Sequence, residues 1–263
     1  PKLAAAVQAA CGETGGHSYV LLLGAVVNAD ENEALVPAFA GEVARMRGQP
    51  TDMGYASDRS DEIVVGRLPA RTRAEAAAMI RKTIAWDQAR QPGAWKRRVL
   101  VLAGAPSYNP TVDRMVEGMA LGQFEELIPY WSGQAIYRNP NSPYVLADDE
   151  LWPAAQAAFK TGPALTVYLG HSNPDGFWHR WVMREEPASA SADGEKHRTL
   201  EFEPVCSREN LARVEVGHAG GIFATFGCFG TQFCGKGGEG YGLCAIRNPH
   251  GPVAVVGFHG ECW

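Results

Sequence analysis

The chain has 263 residues, a formal net charge of -5, and 46% hydrophobic against 20% charged residues, the composition of a globular protein that can bury a sizeable core. Its longest basic block, Lys96-Arg97-Arg98, offers little to a phosphate backbone, so nucleic acid is not an expected partner. No apolar run approaches the ~20 residues of a membrane span, and the six cysteines form no CxxC pair, which argues against structural zinc and a disulfide scaffold. Pro1-Lys2-Leu3-Ala4 lacks the charged-then-apolar build of a secretory leader. One disulfide among the four cysteines after Cys206 stays compatible with the pattern.

In chain order, Ser18-Leu23 reads as a first buried strand and Glu62-Gly66 as a second, each ended by glycine. An alanine-rich segment between them reads as helical and is followed by a turn-rich stretch. Thr72-Arg73-Ala74-Glu75 has capping-box spacing and predicts a helix to about Arg90, stopped by Pro92-Gly93. Arg98-Leu102 opens a second series: strand, a helix from near Pro110, another from near Asp149, and the strand Ala164-Leu169. The strand Gly221-Phe226, a helix over Glu239-Ile246 and the strand Val253-Val256 complete it. Strands alternating with helices imply βαβ units and a mostly parallel sheet. The expected fold is therefore α/β, with an N-terminal α/β subdomain over 1-95 and a larger subdomain over 96-263. Residues 186-196 are low in complexity and read as an exposed loop, with Arg198-Val205 after it as a candidate edge strand.

Two reactive residues follow their strands in the same way. Cys228 stands after Gly221-Phe226 and Gly227, and His171 after Ala164-Leu169 and Gly170. In a parallel sheet, residues just past the carboxyl ends of neighbouring strands meet at one edge, where ligands bind. A thiolate with an imidazole in reach makes a nucleophile and its acid-base partner. Each residue alone has a plainer reading, Cys228 as an inert buried thiol and His171 as part of the turn Asn173-Pro174-Asp175-Gly176. The shared pattern favours the pair. His17, His179, His197 and His250 sit in turn-like polar settings and read as solvated.

At these two motifs the sequence resembles the gingipain-type cysteine peptidases, which share the caspase-haemoglobinase fold with caspases, legumain and clostripain. Tyr168-Leu169-Gly170-His171-Ser172, followed by Trp178, resembles the family's histidine motif, and Phe226-Gly227-Cys228-Phe229-Gly230-Thr231-Gln232-Phe233 its cysteine motif. Thr51-Tyr55 with Asp61-Ala70 is similar to the end of the family's first subdomain, and Gly251-Gly257 with Trp263 to the strand and tryptophan bordering its primary specificity pocket. The resemblance spans roughly residues 50-263, the Gly-His and Gly-Cys pairs being its most specific parts. Three features depart from it: Ser172 stands where the family usually has glycine, the His171-Cys228 gap is longer, and the chain stops at Trp263 soon after a core strand, as if truncated.

The resemblance implies a three-layer, mostly parallel sheet and a bacterial cysteine endopeptidase acting through a thioester acyl-enzyme. Cys228 and His171 would be catalytic, and the backbone N-H groups of Ser172 and Cys228 would hold the oxyanion. Trp263, Trp178 and Asp113 would bind substrate. Asp113 would select a basic residue, or serve only as first-turn charge on its helix. Trp263 would wall the pocket, or simply pack. The partner is then a protein or peptide substrate, the setting extracytoplasmic or secreted, and no cofactor is required. A structural calcium in the acidic loop Asn28-Glu33 competes with a plain solvated turn. A catalytically silent binding or scaffold module is the alternative, and a nonproteolytic acyltransferase or thiol hydrolase a third reading. Oligomeric state stays open.

Overall fold

The computed structural model describes residues 2-12, 17-26, 36-42, 47-56, 62-89, 92-104, 109-127, 130-139, 142, 145-185, 198-218, 220-234 and 238-261. The N-terminal part holds helix α1 (Lys2-Gly12), strand β1 (Ser18-Leu23), the short strands β2 (Phe39-Ala40) and β3 (Pro50-Thr51), helix α2 (Met53-Ala56), strand β4 (Ile63-Leu68) and helix α3 (Arg73-Gln88). β1 and β4 pair in parallel, and α1 and α2 bury one face of that pair through Ala4, Leu22 and Tyr55, and through Cys11, Ala56 and Ile63. The alanine-rich stretch departs from its helical reading, because its described residues include β2, antiparallel to β3. At α3 the Thr72 hydroxyl accepts from the Glu75 N-H as the capping pattern predicts. The Glu75 carboxylate reaches one residue further back, accepting from the Arg71 N-H at 2.7 Å.

The remaining elements are β5 (Arg98-Gly104), α4 (Pro110-Leu127), β6 (Ser132-Arg138), α5 (Asp148-Lys160), β7 (Leu165-Leu169), β8 (Ser172-Asn173), β9 (Gly176-Glu185), β10 (Arg198-Ser207), α6 (Arg208-Leu211), β11 (Ile222-Phe226), α7 (Tyr241-Arg247) and β12 (Ala254-Gly257). A five-stranded sheet runs in the order β12-β11-β7-β5-β6, parallel at every pairing. A parallel sheet needs crossover connections, and α4 between β5 and β6, α5 between β6 and β7, and α7 between β11 and β12 supply them. α4 starts where the sequence requires: Pro110 is pre-set for the first helical position, and the Asn109 side chain caps the Thr111 and Val112 N-H groups at 3.0 Å each.

Side-chain alternation divides the sheet into two unlike faces. Leu100, Leu102, Ile136, Tyr168 and Phe223 face the main core with Leu151 and Phe159 of α5, Phe177 of β9 and Tyr241 of α7. On the opposite face α4 lies against β6, where Asp113 and Glu117 sit close enough to Tyr137 to help raise its pKa, after the larger effect of burial. β8, β9 and β10 form an antiparallel sheet in which the long β9-β10 hairpin leaves directly from the histidine motif.

The two parts of the chain meet across α3 and α7. Lys82 is buried there and donates to the Ile246 and Asn248 carbonyls at 2.7 and 2.8 Å, while Arg247 pairs with Glu239 and donates to the Pro69 carbonyl at 2.6 Å. A cavity of about 650 Å³ separates β4 from the β12 edge, lined in part by Asp52, Arg67, Phe233 and His259. Arg67 there is committed to the scaffold, donating to Asp52 and to the carbonyls of Gly24, Val36 and Pro37.

Candidate active site

The strand register brings the two motifs together. Leu169 and Phe226 are the last paired residues of β7 and β11. His171 and Cys228 each follow two residues beyond that pair, one glycine further along each chain. Both glycines are required by packing. Gly170 has φ +146°, a conformation side chains rarely adopt, and a Cβ there would stand 2.9 Å from the Tyr168 hydroxyl and 3.1 Å from the Gly104 nitrogen. A Cβ on Gly227 would lie 2.2 Å from Ser172 Oγ and 2.9 Å from Tyr168 Cε1. Gly227 thus lets the cysteine loop close on Ser172 of the histidine loop, while Gly170 lets the histidine loop pass close to Gly104 at the end of β5.

Hydrogen bonds fix that closure. Ser172 Oγ donates to the Cys228 carbonyl at 2.7 Å, and the Tyr241 hydroxyl to Ser172 Oγ at 3.3 Å. The Thr225 and Tyr241 hydroxyls share a short hydrogen bond, and the Tyr168 hydroxyl donates to the His171 carbonyl at 2.5 Å. Thr225, Tyr168 and Tyr241 are fully buried, so a buried hydroxyl chain runs from β11 through α7 to the histidine loop and back to the cysteine. The sequence points to Ser172 for its backbone N-H and as a departure from the family pattern, not for its hydroxyl, and gives no role to the Tyr241 and Thr225 hydroxyls. The one available signal was a hydroxyl placed where the resemblance calls for glycine.

Past the cysteine, Phe229 takes the left-handed backbone conformation, φ 59°, uncommon for a residue with a large side chain. It is held there by its N-H on the Gly260 carbonyl at 2.9 Å and by Thr231 N-H on the Phe258 carbonyl at 3.0 Å. These bonds make the segment after β12 the other wall of the cysteine loop. His171 is exposed and Cys228 half-buried. No disulfide joins any two of the described cysteines, Cys11, Cys206, Cys228, Cys234 and Cys244. Burial raises the pKa of Cys206, Cys234 and Cys244. Among the described residues no group of three His, Cys, Asp or Glu side chains could hold a metal ion, and no helix is long and apolar enough to cross a membrane.

The model of Peptidase family C25 matches residues 3-263. The chain belongs to peptidase family C25. Among solved structures, it superposes on the Arg-specific cysteine proteinase gingipain R (RgpB) with a TM-score of 0.60 at 16% identity, over 96% of this chain and 51% of that one. A structure titled only as a protease gives 0.67 at 14% identity, over 99% and 50%. The complex of Porphyromonas gingivalis RgpB pro- and mature domains gives 0.63 at 14%, over 99% and 54%. These likenesses show the caspase-like fold, and the chain spans about half the length of each. No curated protein matches the chain.

Within this C25 chain the other sequence-derived site residues fall unevenly. Trp178, expected to bind substrate, is instead 2% exposed and packs against Phe177, with Nε1 donating to the Ala103 carbonyl at 2.9 Å. Its bulk belongs to the core beneath the histidine loop. Asp113 is 3% exposed in the first turn of α4, within a polar group that includes Tyr137, Asn139 and the Ser142-Glu117 hydrogen bond. That placement favours the helix-charge alternative. Trp263, Cys262, residues 28-33 of the acidic loop and the low-complexity stretch 186-196 lie outside the described residues. His179, read as solvated, is buried on β9. Burial, then the nearby His171 and Arg138, lowers its pKa to about 4, keeping it neutral beside the reactive pair.

Proposed function

We propose that this C25 member is a cysteine endopeptidase in which Cys228 is the nucleophile and His171 the acid-base partner. The observation that supports the proposal is that His171 and Cys228 each stand two residues past the paired ends of β7 and β11, with Ser172 Oγ donating to the Cys228 carbonyl. The Cys228 thiolate attacks the scissile carbonyl carbon, forming a C-S bond, and the oxyanion is held by the Ser172 and Cys228 backbone N-H groups. As the tetrahedral species collapses the C-N bond breaks, and protonated His171 gives its proton to the leaving amine. Water then adds to the thioester, His171 takes up its proton, and the C-S bond breaks to release the acid and regenerate Cys228. Oxyanion donors of this type contribute about 3 kcal/mol each in acyl transfer. The scheme needs no cofactor. The substrate is a protein or peptide, and an extracytoplasmic or secreted setting belongs to the same reading.

The test replaces Cys228→Ala and His171→Ala separately and measures peptide hydrolysis beside circular dichroism and thermal unfolding. Each variant should lose hydrolysis and keep the wild-type spectrum, because both residues lie past strand ends and outside the main core. Cys234→Ala should keep most activity. Full activity in Cys228→Ala would overturn the assignment.

A further inference from the structure

Beside the reactive pair the sheet carries an unusual row of side chains. Tyr137, Ala103, Leu169 and Phe226 stand level across β6, β5, β7 and β11. Gly257 is level with Thr225, so Phe258 comes level with Phe226 one residue on. All of them alternate to the face opposite the main core. Over most of a parallel sheet such positions are covered, and at the β6 end Asp113 and Glu117 of α4 lie near Tyr137. Towards β11 the row opens to solvent: Leu169 is 43% exposed, Phe226 51% and Phe258 43%. The Phe226 and Phe258 rings meet edge to face with centroids 6.3 Å apart. Leu169 is two residues before His171 and Phe226 two before Cys228, so this apolar surface begins where a peptide bond under attack by Cys228 would lie.

We propose that Leu169, Phe226 and Phe258 are the specificity-determining wall of the subsite for the residue whose carbonyl is attacked, and that this wall takes an apolar or aromatic side chain rather than a basic one. The inference rests on the reading of Cys228 and His171 as the catalytic pair. A guanidinium laid on these three side chains would lose water and gain no anionic partner from them. An apolar side chain gains contact with all three and removes exposed apolar area. Asp113, the carboxylate that the resemblance assigns to a basic side chain, is buried near Tyr137, which itself stands two strands or about 10 Å from Leu169. Reaching it means crossing Ala103 and displacing the polar contacts around Tyr137.

The experiment uses the intact protein and fluorogenic peptides identical except for leucine, phenylalanine, arginine or lysine before the cut. Leucine or phenylalanine should give a kcat/KM at least about tenfold above arginine, the discrimination an apolar pocket ordinarily achieves. Phe226→Asp should reverse the order. Should that variant fail to fold, peptidyl chloromethyl ketones ending in phenylalanine or arginine, competing for Cys228 in the wild-type protein, make the same comparison by intact mass, with phenylalanine expected to win. Cys228-dependent cleavage that is faster after arginine overturns this inference and leaves the catalytic reading standing. Absence of any Cys228-dependent cleavage overturns both.

Discussion

Ser172→Ala tests whether the buried hydroxyl chain positions the nucleophile. The substitution removes one donor, the Ser172 hydroxyl on the Cys228 carbonyl at 2.7 Å, and one acceptor, for the Tyr241 hydroxyl at 3.3 Å. The buried Tyr241 hydroxyl keeps its bond to Thr225 and gives up only a long one, so the stability cost is mainly that of the 2.7 Å bond, about 0.5-1.5 kcal/mol. The effect on chemistry is larger, because the lost bond ties the histidine loop to the cysteine loop, and a displacement near 1 Å at a reacting atom costs about 100-fold. Cys228 alkylation by iodoacetamide should slow by about 10- to 100-fold, read by peptide mass with the other cysteines as internal references, while urea unfolding shifts only slightly. Tyr241→Phe should do the reverse. It keeps the ring contacts with Phe177 and Phe223 but takes the partner from the buried Thr225 hydroxyl, costing about 1-3 kcal/mol. Because Ser172 and Tyr241 share one chain, the double variant should depart from additivity by more than about 0.5 kcal/mol. Unchanged Cys228 reactivity in Ser172→Ala, or strict additivity, would refute the argument.

Three further outcomes follow from the same contacts. Gly227→Ala puts a Cβ 2.2 Å from Ser172 Oγ, an overpacking of about 1-3 kcal/mol, so its melting temperature should fall and Ser172→Gly in the same chain should recover part of the loss. Recovery should be incomplete, since Tyr168 Cε1 still stands 2.9 Å away. His179 titrates near 4 in the fold against an ordinary 6.5, so between those values the unfolded chain binds more protons; stability should fall as pH drops from about 6.5 to about 4, and His179→Phe should flatten that part of the urea-midpoint profile. Lys82 is lowered by burial from 10.5 to about 8. The unfolded chain again binds more protons between those values, so stability should rise with pH from about 8 to 10.5, and Lys82→Met should remove that slope.

Much of the fold was legible because its signals are local. The capped start of α3, the Asn109-Pro110 start of α4, and the apolar runs of β5, β7, β11 and β12 each carry their own reason for forming. What escaped depends on partners distant in sequence. β6, Ser-Gly-Gln-Ala-Ile-Tyr-Arg, has one fully core-facing apolar residue, Ile136, and is a strand because β5 lends it a full ladder. β9 has no strand reading in the sequence, because its identity as a strand comes from its register with β10.

The same distinction explains why Cys228 and His171 stand out in the sequence and the contacts around them do not. Strand, glycine and reactive residue form a pattern readable within seven residues, and each glycine is fixed by close contacts, Gly170 with Tyr168 and Gly104, and Gly227 with Ser172 and Tyr168. Specificity and positioning are assembled across strands: Phe226 meets Phe258 from 32 residues away, and Ser172 meets Tyr241 from 69. Neither pairing has a spacing rule, so each arises only once the register of β7, β11 and β12 is set. That separation has a functional consequence. The residues before the two glycines can change without disturbing the contacts that force the glycines, because Leu169 and Phe226 face away from Tyr168 and Ser172. A peptidase built this way can alter which side chain it accepts at those positions while the Cys228-His171 geometry stays fixed, and the contrast between Phe226→Asp, which should change preference, and Ser172→Ala, which should slow every substrate alike, separates the two.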